Sequence, residues 1–160
     1  MEFVEGINLP DRYVLKTVID GEVRQLSYTT NKSACWDWLA AEDIDIPPGE
    51  WRIVDTGSRL VFEKGDGPSC LFSFKIHVLS RSGLAAKHGV FVLNAPGVID
   101  EDYIDMPIKI VLMNAGKEIF KVRKLDRIAQ GSSEVVYRLP LGVDTKTAER
   151  VGGFGSTGVQ

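Results

Sequence analysis

Short segments in which apolar and polar residues alternate, separated by turn-forming residues, constrain the fold of this 160-residue chain more than any other feature. Strand-like alternation with β-branched residues predicts strands at residues 75–79, 108–112 and 134–139. Turn signals lie at residues 47–49, 64–68, 114–116 and 131–133. Short strands punctuated in this way indicate an all-β protein, either a sandwich or a jelly-roll-like barrel.

Two segments have helical character. Residues 82–89, SGLAAKHG, are predicted to form one short helix, because Ser82 can cap its start and Gly89 suits a left-handed exit. Residues 33–43, SACWDWLAAED, are ambiguous, since helix propensity alone favours a helix there.

Composition excludes several classes of protein. The hydrophobic content of 44% and charged content of 26% are ordinary for a soluble globular domain. No apolar run approaches the roughly 18–20 residues of a membrane helix, and the acidic start is unlike a signal peptide, so a cytoplasmic protein without a membrane partner is expected. The net charge of −3 argues against a nucleic-acid partner.

The start of the predicted helix is a candidate phosphate site. Free N–H groups at a helix N-terminus suit an anion, Ser82 adds a hydroxyl, and Gly83 permits close approach to the backbone beside Arg81. The alternative is an ordinary serine cap next to a surface arginine.

Residues 100–103, DEDY, combine two aspartates with a tyrosine. In an extended segment Asp100 and Asp102 would share a face, and a carboxylate can accept a proton from water as a general base. The ring of Tyr103 can pack against a sugar. The alternative is a solvated acidic turn.

Three further positions offer ligand contacts. Asn94 carries the donors and acceptors that match a base such as uracil, or it forms a turn before Pro96. Gln130 follows a charged strand start and could face a ligand, or it makes a structural hydrogen bond. Asp37, between two tryptophans, needs a partner because a buried charge is costly, and that partner is a metal-bound water or an arginine.

The C-terminal residues 150–160 are too rich in glycine to fold alone and are expected to form a flexible tail after a single domain at residues 1–149. Such a tail could order over a ligand, with Phe154 stacking on a base and Ser156 and Thr157 binding phosphates. The alternative is a disordered terminus.

Five short blocks, taken in order, resemble the five motifs of the trimeric dUTP pyrophosphatases, or dUTPases. The blocks are ACWDWLAAEDIDIPPGE, RSGLAAKHGV, LNAPGVIDEDY, KLDRIAQ and ERVGGFGSTG, within residues 34–158. The resemblance implies a strand rather than a helix around Asp37.

The resemblance also implies roles for individual residues. Asp100 would be the water-activating base, Asn94 the uracil reader and Tyr103 the residue that rejects ribose. Asp37 would help to hold a metal through water. Substrate contacts would come from Arg81, Ser82, Gly83, Gly97, Lys109, Gln130, Arg150, Phe154, Gly155, Ser156 and Thr157.

The implied protein is a homotrimer of jelly-roll-like, distorted β-barrel subunits with active sites shared among the chains. Mg²⁺ would clamp the triphosphate of dUTP while water attacks the α-phosphorus, giving dUMP and pyrophosphate. The chain departs from the family pattern after Tyr103, where Ile104, Asp105, Met106 and Pro107 replace the usual Arg-Gly.

Two other functions share this fold. One is a pyrophosphatase acting on another or a modified pyrimidine deoxynucleotide. Deamination is disfavoured, because the related dCTP deaminases carry a glutamate in the strand after the third motif and residues 109–114 here contain none. The other is a regulatory or binding protein that uses the fold to recognise a partner.

Overall fold

The computed structural model describes residues 12–63 and 73–137 of the chain. These ranges contain a single helix, α1 (Ser82–His88). The strands are β1 (Arg12–Ile19), β2 (Glu22–Arg24), β3 (Trp36–Leu39), β4 (Ile44–Ile46), β5 (Trp51–Glu63), β6 (Ser73–Leu79), β7 (Val90–Val92), β8 (Gly97–Asp100), β9 (Pro107–Asn114), β10 (Phe120–Val122) and β11 (Arg127–Val136). The turn signal at residues 64–68 and the tail from residue 150 lie outside the described residues.

The strands form three antiparallel sheets in the described part of the chain. The larger sheets have the orders β2-β1-β5-β9-β7 and β3-β11-β6-β8, and β10 pairs with β4 in the third. The core draws residues from both larger sheets, including Ile110 on β9 and Ile76 on β6. The predicted all-β, jelly-roll-like fold with one short helix is confirmed.

Strand β9 shows why alternation predicted the fold well. Its side chains at positions 108, 110, 112 and 114 are buried, whereas those between them are more exposed. The last of these is polar, but Asn114 is satisfied: its Nδ2 donates to the carbonyls of Ile46 at 2.7 Å and Glu118 at 2.8 Å. The side chain therefore ties the end of β9 to two neighbouring segments.

The ambiguous segment at residues 33–43 contains a strand, β3, as the family resemblance implied. Trp36 and Trp38 lie on one face of it and meet edge to face, with ring centroids 5.6 Å apart. Both indoles are buried in the core. Burial of this much aromatic surface outweighs a helix propensity that differs by only about 0.5 kcal/mol per residue.

Helix α1 confirms the helix predicted at residues 82–89, but its predicted cap is wrong. Ser82 is already helical, and Arg81 is the N-cap residue, with no side-chain capping hydrogen bond. At the other end Gly89 has φ of 68°, and its N–H donates to Ala85 at 3.0 Å. A Cβ at Gly89 would lie 2.9 Å from the backbone nitrogen of Gly116. Glycine is therefore required there both by the left-handed backbone and by this close contact.

The turn predicted at residues 131–133 is also wrong, because β11 continues through all three residues. A Cβ on Gly131 would lie 2.4 Å from Cε2 of Trp36. Glycine at this position makes room for the indole on the neighbouring strand rather than for a reversal of the chain. Residues 138–139, the end of the predicted strand, lie outside the described residues.

Candidate active site

A buried carboxylate organises one end of the sheet formed by β3, β11, β6 and β8. Asp37 lies in the middle of β3, and its side chain points away from the two flanking tryptophans. Only 8% of the residue is exposed. Gln130 of β11 is its partner across the strand pair, and Gln130 pairs on its other side with Leu79, two residues before Arg81.

Two arginines neutralise this carboxylate. Nε of Arg81 lies 3.0 Å from Oδ1 of Asp37, and Nη1 of Arg127 lies 3.3 Å from Oδ2. Nη1 of Arg81 also donates a hydrogen bond of 2.6 Å to the carbonyl of Arg127. We call Asp37, Arg81 and Arg127 the arginine cluster. The sequence predicted that Asp37 needs either an arginine or a metal-bound water as its partner, and the structure contains arginine.

Arg127 is the member of this cluster that sequence reasoning missed. It stands three residues before Gln130, and a β-bulge between Arg127 and Ala129 shifts the register with β3. The bulge lets both Arg127 and Gln130 lie beside Asp37, which regular alternation does not predict. A cavity of about 240 Å³ borders the cluster, and Thr29, Asp37 and Arg127 are among its lining residues.

The arginine cluster does not fit a directly coordinated magnesium ion. Each oxygen of Asp37 faces a guanidinium group, and Thr29 adds a hydroxyl 3.4 Å from Oδ2. Within residues 12–63 and 73–137, no three side chains of histidine, cysteine, aspartate or glutamate come together in a way that could hold a metal. The arrangement suits an anion better than a cation.

The second group of predicted site residues lies on and around β8. We call residues 94–103 the β8 segment. A Cβ on Gly97 would lie 3.2 Å from Cβ of Val78 and 3.4 Å from Nδ2 of Asn94, so the amide of Asn94 packs directly over this glycine. Asp100 is the last residue of β8, is half-buried, and pairs with Lys75 of β6.

The expectation that Asp100 and Asp102 share one face of an extended segment is wrong. The strand ends at Asp100, and the N–H of Tyr103 donates to the carbonyl of Asp100 at 3.1 Å, closing a turn that contains Glu101 and Asp102. The turn directs the chain so that the hydroxyl of Tyr103 donates to the carbonyl of Pro107 at 3.1 Å. The tyrosine ring is half-buried and packs against the core.

The residues after Tyr103, where the chain departs from the family pattern, are attached to β5. Ile104 forms a parallel bridge with Leu60, and the N–H of Asp105 donates to the carbonyl of Leu60 at 2.8 Å. Asp105 adopts a positive φ of 57°. The longer connection is thus anchored to the core beside Tyr103.

The two groups are well separated within one chain. Asp100 pairs with Lys75, and Gln130 pairs with Leu79 on the opposite side of β6. Four residues along a strand and two strand spacings across the sheet correspond to roughly 14 Å and 10 Å. Asp100 and the arginine cluster of one chain are therefore too far apart to meet across a single phosphate.

The remaining predicted residues fall outside both groups. Lys109 is exposed on β9 of the other large sheet, opposite Asp55 of β5. The structure does not bring it together with the arginine cluster or the β8 segment through any contact described for residues 12–63 and 73–137. Arg150, Phe154, Gly155, Ser156 and Thr157 lie outside the described residues.

Helix α1, the single helix of residues 12–63 and 73–137, is not long and apolar enough to cross a membrane.

The described residues form an all-β protein of the jelly-roll-like class, with a cationic arginine cluster and a separate edge strand that carries Asp100. Comparison with known proteins identifies the family. The dUTPase family model matches residues 22–158, and the chain belongs to the dUTPase family.

Relatives with the name deoxyuridine 5'-triphosphate nucleotidohydrolase match along most of their length. The protein from Wolinella succinogenes is 41% identical over 138 residues, covering 82% of this chain and 85% of its own. The protein from Nautilia profundicola is 39% identical over 135 residues, covering 82% and 89%.

Solved structures of the same fold agree. A mutant dUTPase from phage phi11 of S. aureus, described as revealing the coordination of a structural Mg(II) ion, superposes with a TM-score of 0.67 at 15% identity, covering 85% of this chain and 98% of that one. The native EIAV dUTPase gives a TM-score of 0.62 at 20% identity, with coverage of 86% and 99%. At these identities the likeness supports the fold.

Proposed function

We propose that this chain hydrolyses dUTP to dUMP and pyrophosphate. The observation that carries the proposal is the family match over residues 22–158, because it includes both the arginine cluster and the β8 segment. Relatives at about 40% identity that share the name deoxyuridine 5'-triphosphate nucleotidohydrolase support the same substrate.

Asp100 is the general base in this proposal. Its carboxylate accepts a proton from a water molecule, whose oxygen attacks the α-phosphorus. The bond between the α-phosphorus and the oxygen that bridges to the β-phosphate breaks, and pyrophosphate leaves. The position of Asp100 at the end of β8, half-buried and followed at once by a turn, supports this role by fixing the carboxylate near solvent.

The phosphates are bound at the start of α1 and beside it. Arg81 is held by Asp37 and by the carbonyl of Arg127, which fixes the direction of its guanidinium. Ser82 and Gly83 are exposed next to it, and no atom lies within 4 Å of a Cβ built on Gly83, so a ligand has room to approach. Gln130 lies on the neighbouring strand, within reach of the same ligand.

The base and sugar are bound along the β8 segment. Asn94 packs over Gly97 and presents its amide to uracil. The ring of Tyr103 is fixed at one end by the hydrogen bond to Pro107 and on one side by the core, so it cannot move aside for a 2′-hydroxyl. Discrimination against UTP follows from this rigidity.

The active site is shared between chains of a homotrimer. The separation between Asp100 and the arginine cluster supports this arrangement, because an arginine cluster from one chain can meet a β8 segment from another. Residues 150–158 complete the site by closing over the ligand. Asp37 would hold a magnesium ion only through water, and the ion would neutralise charge on the triphosphate.

The proposal is tested by measuring pyrophosphate release from a panel of deoxynucleoside triphosphates and from UTP. We expect rapid release from dUTP and release from UTP slower by a factor of about 100, the usual discrimination against an added hydroxyl. Preference for another deoxypyrimidine would identify the alternative pyrophosphatase. Binding of dUTP without release would identify the regulatory protein.

A further inference from the structure

The side chain of Arg127 has no role in the site proposed above, yet it shares the buried carboxylate of Asp37 with Arg81. We propose that Arg127 is a further phosphate-binding residue, and that Asp37 acts as a positioning residue for the two arginines. The inference rests on the proposed function, because the ligand is the polyphosphate chain of the nucleotide.

The contacts divide evenly between the two arginines. Asp37 offers one carboxylate oxygen to Arg81 and the other to Arg127, at 3.0 Å and 3.3 Å. A guanidinium has five N–H donors. The contacts described for Arg127 in residues 12–63 and 73–137 occupy its Nη1 atom, so Nε and Nη2 keep donors for a ligand.

Charge and exposure point in the same direction. Two arginines and one aspartate sum to a charge of +1, and the side chain of Asp37 is only 9% exposed, against 24% for Arg81 and 53% for Arg127. The negative charge is therefore buried and the positive charge faces solvent. In a chain with a net charge of −3, this is a local site for an anion.

Arginine suits this ligand for two reasons. Its planar fork binds phosphate oxygens in pairs, and charge-assisted bonds of this type are stronger than neutral ones. A free arginine loses much side-chain entropy when it binds. Because Asp37 already orders both guanidinium groups, most of that loss occurs during folding rather than on binding.

The test measures affinity for the non-hydrolysable imido analogue of dUTP by calorimetry, in EDTA so that no metal contributes. We expect Arg127→Ala to weaken binding by about 10- to 100-fold, the usual effect of removing a charged hydrogen-bond partner. Arg123→Ala is the matched control, because Arg123 is 49% exposed and pairs with Asp45 and Asp43 instead. Its affinity should stay within about twofold of wild type.

Wild-type affinity in Arg127→Ala, or an equal loss in Arg123→Ala, would overturn the assignment. If Arg127→Ala does not fold, Arg127→Lys serves, since lysine keeps the charge and the pairing with Asp37 but not the fork. That variant should bind the analogue more weakly than wild type by about 3- to 10-fold. Unchanged affinity in Arg127→Lys would then contradict the proposal.

A double-mutant cycle tests the positioning role of Asp37. If Asp37 holds Arg127 for the ligand, Arg127→Ala should cost much less affinity in an Asp37→Asn background than in wild type. Equal costs in both backgrounds would show that Arg127 acts independently of Asp37. Failure of the proposed function is distinct, because it would appear as wild-type protein that releases no pyrophosphate from dUTP.

Discussion

The arginine cluster and the β8 segment contain most of the described candidate residues, but they are built in opposite ways. In the arginine cluster a buried carboxylate on the edge strand β3 fixes two arginines, one before α1 and one on the interior strand β11. The β8 segment lies on an edge strand, with Val98 50% exposed. β3 and β8 are the two edge strands of one sheet, but the carboxylate on β3 is buried beneath two arginines, whereas the β8 segment faces outward.

This difference indicates how the two groups divide their work. Charges that must be ready for a phosphate are ordered in advance by neighbours in the same chain. An edge strand that leaves apolar and backbone groups exposed needs a covering surface, and a second chain can supply it. Variants in each group test whether the two groups behave as separate halves of one site.

The largest effect is expected at Asp100, the proposed catalytic residue of the β8 segment. Asp100→Asn keeps the shape of the side chain but removes the proton acceptor, so kcat for dUTP should fall by about 10²- to 10⁴-fold. Affinity for the imido analogue should change little, because the arginine cluster is intact. Near-normal turnover would show that Asp100 is not the base.

The next effect concerns the glycine-rich tail. Deletion of residues 150–160 should lower kcat/KM by about 10- to 100-fold if, as proposed, these residues close over the ligand, exclude water and order the phosphates. The melting temperature should stay within a degree or two, since such a sequence can add little to a core. Full activity in the truncated protein would remove these residues from the site.

The smallest effect separates ligand approach from packing. Gly83→Ala should raise KM for dUTP by a few fold while the fold stays as stable as before, because nothing lies within 4 Å of the new Cβ and alanine favours a helix. Gly131→Ala is the contrasting variant. Its Cβ would lie 2.4 Å from the Trp36 indole, so the free energy of unfolding should fall by about 1–3 kcal/mol. An unchanged KM in Gly83→Ala would mean that ligand does not approach there.

Local patterns predicted the parts of the fold that depend on neighbouring residues. The alternation at residues 108–112 and the residues before Gly89 specify β9 and α1 through nearby contacts. The turn predicted at Gly131 is wrong, because glycine is needed there to make room for the indole of Trp36. That indole lies on a strand about 95 residues earlier in the chain. Tertiary packing of this kind leaves no local signal.

The candidate site was predicted unevenly for the same reason. Asp37, Arg81 and Asn94 belong to recognisable motifs, and the structure gives each a defined position. Arg127 was missed because its contact with Asp37 depends on a bulge between Arg127 and Ala129. For residues 100–103 the sequence left two alternatives, an extended segment with Asp100 and Asp102 on one face and an acidic turn, and the structure contains the turn.

The most direct test of the shared site is complementation between two inactive variants. Asp100→Asn lacks the base and Arg81→Ala lacks an arginine of the cluster, so trimers of either variant alone should be nearly inactive. When the two are mixed by joint refolding, a site formed from two chains can combine an intact arginine cluster with an intact Asp100. Random assembly then restores about one quarter of wild-type dUTP hydrolysis. Activity in the mixture no higher than in the separate variants would place both groups in a single chain and contradict the account.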